Sequence, residues 1–387
     1  MTASDWSVPE TAVMDAIGDA IDGEGAVLAT VVAVEGSAYR RPGAKMIVTG
    51  GDAGVGSVTA GCLEDVVLTL AEEVLADGEP RVERFDLTGD DDVWGLGVGC
   101  NGVIDVLLEP LDGSYRQVVD AYQGGEDIAV LTVLDGDGDL ARGDRAFATP
   151  GGADGEGPTF EAAGWPDPVL SGLEGPTERL LAADTSDSVT VERDGRAVEV
   201  FVDSVTAPPE LVVFGSGHDV APVARLASQV DFRVTVVTFR GAAADAERFP
   251  AADRVESTSP AEIRETLSFD ADTYPVVMTH NFVDDQIALE ELLDTPVEYI
   301  GLMGPRKRFA EMQEAFAERG RTFTEAERDR IYTPAGVDLG GGTPFHIAQS
   351  IVAEVTAVHH DREPKHLTDR EGPIHARPPV EDGASED

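Results

Sequence analysis

Between residues 211 and 358, short β-type apolar runs alternate regularly with amphipathic segments. Strands are expected at 211–214, 233–238, 275–279 and 297–302. Helices are expected at 219–229, 260–268, 284–293, 306–319 and 345–358. Strands that alternate with helices at this spacing predict a parallel, doubly wound sheet. The first unit reads Leu211-Val-Val-Phe-Gly-Ser-Gly-His-Asp-Val-Ala221, a strand, a tight glycine turn and a helix start. Gly215 permits the turn, Gly217 lets the backbone approach a diphosphate, and the amides at the helix start hold the anion. The third glycine of such turns is replaced by Val220. The second strand ends on Thr238, where an acid for the ribose hydroxyls usually stands, and Arg240 follows two residues on. That pattern departs from simple NAD recognition and tolerates a 2′-phosphate or a different nucleotide. The expectation is a Rossmann-like domain with Gly215, Gly217, His218 and Arg240 at its ligand site, and NAD(P) is one ligand it allows.

Further loops should converge at the carboxyl end of that sheet, where open α/β sheets bind ligands. Met278-Thr-His-Asn281 offers His280. Gly301-Leu-Met-Gly-Pro-Arg-Lys-Arg308 offers Gly304, with Arg306 placed to meet a phosphate. Gly340-Gly-Gly-Thr-Pro344 is a second anion cradle, with Thr343 as N-cap and Pro344 at the first helical position. A plain turn and cap would read the same way.

Upstream the pattern is less regular. A helix is expected at 10–22, strands at Ala26–Val34 and Lys45–Thr49, an amphipathic helix at 63–76, and strands at Arg81–Leu87, Val103–Leu108 and Ile128–Leu134. Residues 135–168 are rich in Gly, Asp and Pro and read as loop, 177–184 as helix. Ser188–Glu192 and Ala197–Val205 read as a hairpin around an Asp-Gly turn. Ala207-Pro-Pro-Glu210 is the best linker. The expected organisation is a mixed α/β (α+β) domain over 10–206, the Rossmann-like domain over 209–360 and a disordered acidic tail over 361–387.

Both cysteines lie in glycine-rich turns, Cys62 in Thr59-Ala-Gly-Cys-Leu-Glu-Asp65 and Cys100 in Gly95-Leu-Gly-Val-Gly-Cys-Asn-Gly102. A packing cysteine usually sits within an apolar run. Glycines beside a thiol instead let the backbone approach something closely, or expose the sulfur. Spacing alone leaves open two buried thiols, one disulfide, or a pair that handles sulfur or a metal.

The 387 residues carry 74 acidic and 28 basic side chains, a formal net charge of −46, and only three lysines, Lys45, Lys307 and Lys365. The carboxylates are spread along the chain between well-patterned apolar runs. A dispersed acidic surface with arginine in place of lysine points to adaptation to high salt, where screening removes the self-repulsion. It also argues against nucleic acid, which needs clustered Lys and Arg. No run of 18 apolar residues is present, no secretory signal is read at the N-terminus, and cysteine is scarce. A cytoplasmic protein is expected.

Several segments resemble the XdhC/CoxI family, maturation factors for molybdenum hydroxylases such as xanthine dehydrogenase and aerobic CO dehydrogenase. They are Glu35-Gly-Ser-Ala-Tyr-Arg-Arg-Pro-Gly-Ala-Lys-Met46, Gly61-Cys-Leu-Glu64, Gly95–Asp105, Phe214-Gly-Ser-Gly-His218, Met278-Thr-His280, Tyr299-Ile-Gly-Leu-Met-Gly304, Pro334–Gly340 and the helix Ile347–Val355. Together they span nearly all of 25–358 in the family's order. The resemblance implies a factor that binds the molybdenum cofactor, as molybdopterin or its dinucleotide form. It implies protection of that cofactor during exchange of an oxo ligand for sulfur, then transfer to an apo-hydroxylase. Arg40, Cys62, Cys100 and Asn101 then become cofactor-site candidates, with the two thiols as soft molybdenum ligands or a sulfur relay. A cysteine desulfurase is an expected partner, and a homo-oligomer the expected state. Thr238, Phe345-His346 and the acidic 135–170 stretch depart from the family's usual pattern.

The competing expectation is an NAD(P)-dependent oxidoreductase. No Tyr-x-x-x-Lys occurs, and His280 is the only plausible acid after the third strand. A metal protein using Cys62, Cys100 and the histidines His359, His360, His366 and His375 fits no zinc spacing.

Overall fold

The computed structural model describes residues 4–23, 25–50, 53–87, 102–152, 157–193, 195–241 and 244–369. The chain divides into two compact units, Met1–Ala207 and Pro208–Asp387.

The first unit runs α1 (Glu10–Ile21), β1 (Ala26–Gly36), β2 (Lys45–Thr49), β3 (Ala53–Gly56), α2 (Glu64–Asp77), β4 (Arg81–Asp86), β5 (Gly102–Pro110), α3 (Arg116–Gly124), β6 (Ile128–Asp135), β7 (Arg145–Thr149), β8 (Thr159–Glu161), α4 (Asp167–Ala182), β9 (Asp187–Arg193) and β10 (Arg196–Val205). This is one pattern, α-β-β-β-α-β-β, used twice. The two five-stranded antiparallel sheets have matching orders, β3-β2-β1-β5-β4 and β8-β7-β6-β10-β9.

The match extends to local detail. Val32 is an extra residue in β1, between the pairs Val31–Val106 and Ala33–Asp105. Leu134 is the extra residue in β6, between Val133–Val200 and Asp135–Glu199. After each bulge the chain turns on a left-handed glycine whose N–H returns to the strand, Gly43 to Val31 O at 2.8 Å and Gly143 to Val133 O at 2.9 Å. Both bulge residues line a cavity of about 270 Å³, with Asp105, Glu199, Val82 and Ser188. Bulges of this kind bend a strand and raise its twist.

Each sheet buries one face against its own helix. Val27, Ala29, Val31 and Met46 pack with Val67, Ala71 and Val74 of α2. Leu131, Val133 and Val200 pack with Val169 and Leu173 of α4. Leu28, Ile47, Val130 and Phe147 form a shared layer with α1 and α3, and Val32, Leu107, Leu134 and Phe201 meet between the sheets. Strand alternation therefore serves two cores at once. Two buried ion pairs cross this inner layer, Lys45 Nζ–Asp203 Oδ2 at 2.7 Å and Arg145 Nη2–Glu109 Oε2 at 2.6 Å.

The second unit runs β11 (Glu210–Phe214), α5 (Val220–Ala227), β12 (Arg233–Thr238), β13 (Arg254–Ser257), α6 (Ile263–Thr266), β14 (Thr273–Val277), α7 (Phe282–Leu293), β15 (Ile300–Leu302), α8 (Arg306–Glu318), α9 (Glu325–Asp329), β16 (Ile331–Tyr332) and α10 (Pro344–His359). All six strands are parallel in the order β13-β12-β11-β14-β15-β16. That is the Rossmann order, which reverses direction between β11 and β14. One apolar layer joins α5 and α10 to the sheet and another joins α7 and α8. The mixed first unit and the doubly wound second unit agree with the expected fold class.

Some expected elements are corrected. The segment 135–168, read as loop, contains β7 and β8. The helix read at 177–184 begins ten residues earlier and passes through Pro176. Gly172, Gly175 and Pro176 look like breakers, but burial of Val169, Leu173 and Thr177 outweighs their poor propensity. Gly172 lies against β9, where a Cβ would come 2.7 Å from Val191 Cγ1. The helix at 260–268 shrinks to one turn, with Ile263 and Leu267 as its buried anchors. The strand read as starting at Pro275 starts at Thr273. Proline is tolerated there because β15 pairs only from Val276 onward.

Candidate functional site

The carboxyl ends of β11, β12, β14 and β15 carry the loops that the sequence singled out. At the reversal point the two central loops touch. The Gly215 N–H continues the ladder to Val237 O, and a Cβ on Gly215 would come 2.7 Å from Met278 O. Only glycine fits between the two loops at that point. A Cβ on Gly217 would collide with Asp219 Oδ1 and come 3.4 Å from His280 Nε2. His280 donates from its ring to Asp219 Oδ2, with 2.8 Å between Nε2 and the carboxylate oxygen. The space that a Cβ would fill above Gly217 is therefore lined by a carboxylate and an imidazole.

His280 reaches this position because its backbone is left-handed, at φ +60, a conformation unusual for a non-glycine residue. The turn holding it is tied down from below. The Thr279 hydroxyl accepts from the Asn281 N–H at 3.1 Å and donates to Asp285. Asp285 is buried and also accepts from Arg308, which lies over the Phe282 ring. Asn281 caps α7, its side chain accepting from the Val283 and Asp284 N–H groups. A chain of contacts thus runs from Arg308 through Asp285 and Thr279 to His280, Asp219 and the glycine turn.

The other expected residues fall around this core. Arg240 is exposed and pairs with Asp284 at 3.1 Å. Thr238 is buried, and its hydroxyl donates to the Arg240 carbonyl, so it does not face a ligand as a ribose-binding acid would. His218 is exposed on the glycine turn, and Arg306 is exposed at the start of α8. Gly304 is left-handed at φ +129, with the Arg308 side chain folded over it. Thr343 caps α10 as expected, accepting from the His346 N–H at 3.3 Å. The glycine loop before it is pinned by Glu354, which accepts from the Gly336 N–H and the Tyr299 hydroxyl, each at 2.8 Å.

In the first unit, register sets a second group. Gly36 pairs with Gly102, Asp86 with Val103 and Met46 with Gly56. The β1–β2 connection with Arg40 and the β3–α2 connection with Cys62 therefore leave the same end of the sheet. Cys62 is half-buried on a turn that two side chains fix. The Thr59 hydroxyl accepts from the Cys62 and Leu63 N–H groups. The buried Glu64 carboxylate accepts from the Thr59 N–H at 2.8 Å and the Thr59 hydroxyl at 2.6 Å. Arg40 pairs with Glu10 of α1. Cys100 and Asn101 lie outside the described residues. Among the described residues no three His, Cys, Asp or Glu side chains group to hold a metal ion.

Sequence reasoning passed over Asp219, Arg248, Asp285 and Arg308. Arg248 donates to the Ser216 carbonyl of the glycine turn at 2.7 Å from the β12–β13 connection. No local pattern signals it. Asp219 was in view within the turn motif, where an acid on an anion-binding turn is itself a signal.

The second unit is thus a Rossmann sheet with the Asp219–His280 and Asp285–Arg308 pairs gathered at its reversal point. Residues 211–355 match the XdhC Rossmann domain, and residues 21–86 match the XdhC and CoxI family. A probable xanthine dehydrogenase subunit from Bacillus subtilis is 29% identical over 342 residues, covering 86% of this chain and 93% of that protein. The uncharacterized protein YqeB of Escherichia coli is 28% identical over 165 residues, 42% of this chain and 30% of its own length. The crystal structure of a xanthine dehydrogenase from Bacillus halodurans superposes with a TM-score of 0.70 at 28% identity, covering 92% of this chain and 97% of the other. The chain belongs to the XdhC/CoxI family.

Proposed function

We propose that this protein is an accessory factor for a molybdenum hydroxylase of the xanthine dehydrogenase or CO dehydrogenase type. It binds the molybdenum cofactor as cargo, supports its sulfuration and delivers it to the apo-enzyme. The observation that carries this reading is the matching of both units to XdhC domains in one chain. The residues suit the cargo. In the second unit, the Arg306 guanidinium and the amides before α10 suit a phosphorylated pterin. In the first, Cys62 offers a soft sulfur on a turn that Thr59 and Glu64 hold rigid. A cysteine desulfurase would supply the sulfur, and high salt is the proposed working environment.

The Asp219–His280 pair gives the oxidoreductase reading its one favourable observation, since such pairs move protons. The pair sits above Gly217, at the diphosphate position of a bound dinucleotide, rather than where a nicotinamide ring would lie. The accessory reading is therefore preferred.

Its test is co-expression of a xanthine-dehydrogenase-type hydroxylase from the same organism, with and without this chain. The expected result is a hydroxylase low in sulfurated cofactor and activity when the chain is absent, and restored when it is present. Equal sulfur content and activity in both preparations would contradict the reading.

A further inference from the structure

We infer that Asp219 is a specificity-determining residue that bars diphosphate-bearing dinucleotides from the Rossmann turn. The inference rests on the reading of this crevice as the ligand site, and it names the ligand class that the crevice refuses.

In dinucleotide-binding sheets the second glycine of the turn is kept bare so that the diphosphate can lie against the backbone. Here that glycine is Gly217, and the space on its side-chain face is occupied from within. A Cβ there would strike Asp219 Oδ1, and His280 Nε2 would lie 3.4 Å away. Asp219 immediately precedes α5, whose first residue is Val220. Its carboxylate thus brings to the helix start the negative charge that the backbone dipoles favour there. The His280 ring, held by its left-handed backbone, donates to the other carboxylate oxygen at 2.8 Å. The face of Gly217 thus already carries a carboxylate and an imidazole of the chain itself.

An incoming diphosphate would meet this carboxylate at close range as a like charge, and would also have to displace the hydrogen bond to His280. Both effects oppose binding of a diphosphate at the turn. Two neighbouring features reinforce the refusal. Pro222 is the third residue of α5 and offers no N–H to a phosphate. Thr238 is turned inward at the end of β12, so no acid meets the ribose. The crevice is left to ligands whose phosphate binds away from the glycine turn. Within the proposed function this selects the mononucleotide-free molybdopterin over its dinucleotide form.

The test is titration of the full-length protein with ADP and with NADH, by calorimetry and nicotinamide fluorescence, in buffered KCl. The parent, Asp219→Asn and Asp219→Gly are compared. The asparagine variant keeps the shape and removes the charge, and the glycine variant empties the space. The parent is expected to bind both probes at millimolar strength or weaker, and the variants roughly tenfold or more tightly. Binding of AMP, which lacks a diphosphate, should change little. Tight micromolar binding of NADH or ADP by the parent would overturn the inference, as would two natively folded variants that bind no better than the parent. Molybdenum content of the same preparations reads the proposed function separately, so either idea can fail alone.

Discussion

Lys45 Nζ of β2 lies 2.7 Å from Asp203 Oδ2 of β10, with both side chains over nine-tenths buried. The equivalent pair in the other direction is Arg145 of β7 with Glu109 of β5. The two pairs are reciprocal, each taking its cation from the second strand of one repeat and its anion from the last strand of the other. They fasten the repeats as an isologous interface fastens two protomers. Burial pushes the Glu109 carboxyl up, while the facing Arg145 guanidinium draws it down. Breaking a buried pair on one side leaves a charge without compensation. Lys45→Met should therefore destabilise by about 3–5 kcal/mol, and the Lys45→Met/Asp203→Leu double variant by much less. Urea melts in KCl measure both, and equal losses in the two variants would refute the pairing.

Tyr274 sets an alkaline limit. Burial, assisted by the nearby Asp272, Glu298 and Asp270 charges, pushes its phenol up from 10.0 to about 12. The folded state therefore holds the proton more tightly than the unfolded chain. The stabilisation is complete below pH 10 and is lost as pH rises towards about 12. Burial also pushes Tyr115 and Tyr299 up, so they add to the same loss. Tyr274→Phe should show a shallower fall in melting temperature across that window. An unchanged slope would show that other groups set the limit.

The Cys62 turn depends on Glu64. Replacing Glu64 by Ala removes the acceptor for the Thr59 N–H and hydroxyl. The turn should loosen, and in a Cys100→Ala background the single thiol should react several-fold faster with iodoacetamide. A rate equal to that of the Glu64 parent would mean the turn is held by something else.

Salt should stabilise the whole chain. With a net charge of −46, self-repulsion is strong in dilute buffer and is screened within about 3 Å at molar ionic strength. Melting temperature followed by circular dichroism should rise steeply from low to molar KCl. A melt indifferent to KCl would count against adaptation to high salt.

The second unit was legible in the sequence because each of its main elements announces itself locally. Apolar strand runs, a glycine turn and a Thr-Pro cap marked four of its six strands and the loops at their carboxyl ends, whereas the short β13, β16 and α9 carry too few residues to show a period. The duplication in the first unit was harder to see. Its clearest trace is Gly43-Ala-Lys-Met-Ile-Val-Thr49 against Gly143-Asp-Arg-Ala-Phe-Ala-Thr149. The spacing of glycine, cation and threonine matches, but the intervening residues differ, because a core strand asks only for apolar volume. The helix at Asp167–Ala182 was cut short by reading propensity where burial decides. The Asp219–His280 pair could not be foreseen, since the two residues are 61 positions apart and meet only because β11 and β14 are neighbours.

Molybdenum cofactor is the proposed cargo of this chain. The direct measurement is metal analysis of the full-length protein, purified in KCl from cells that make the cofactor, alongside fluorescence of its oxidised pterin. Molybdenum and pterin near one per chain are expected. Protein that is folded but free of both would contradict the proposed cargo.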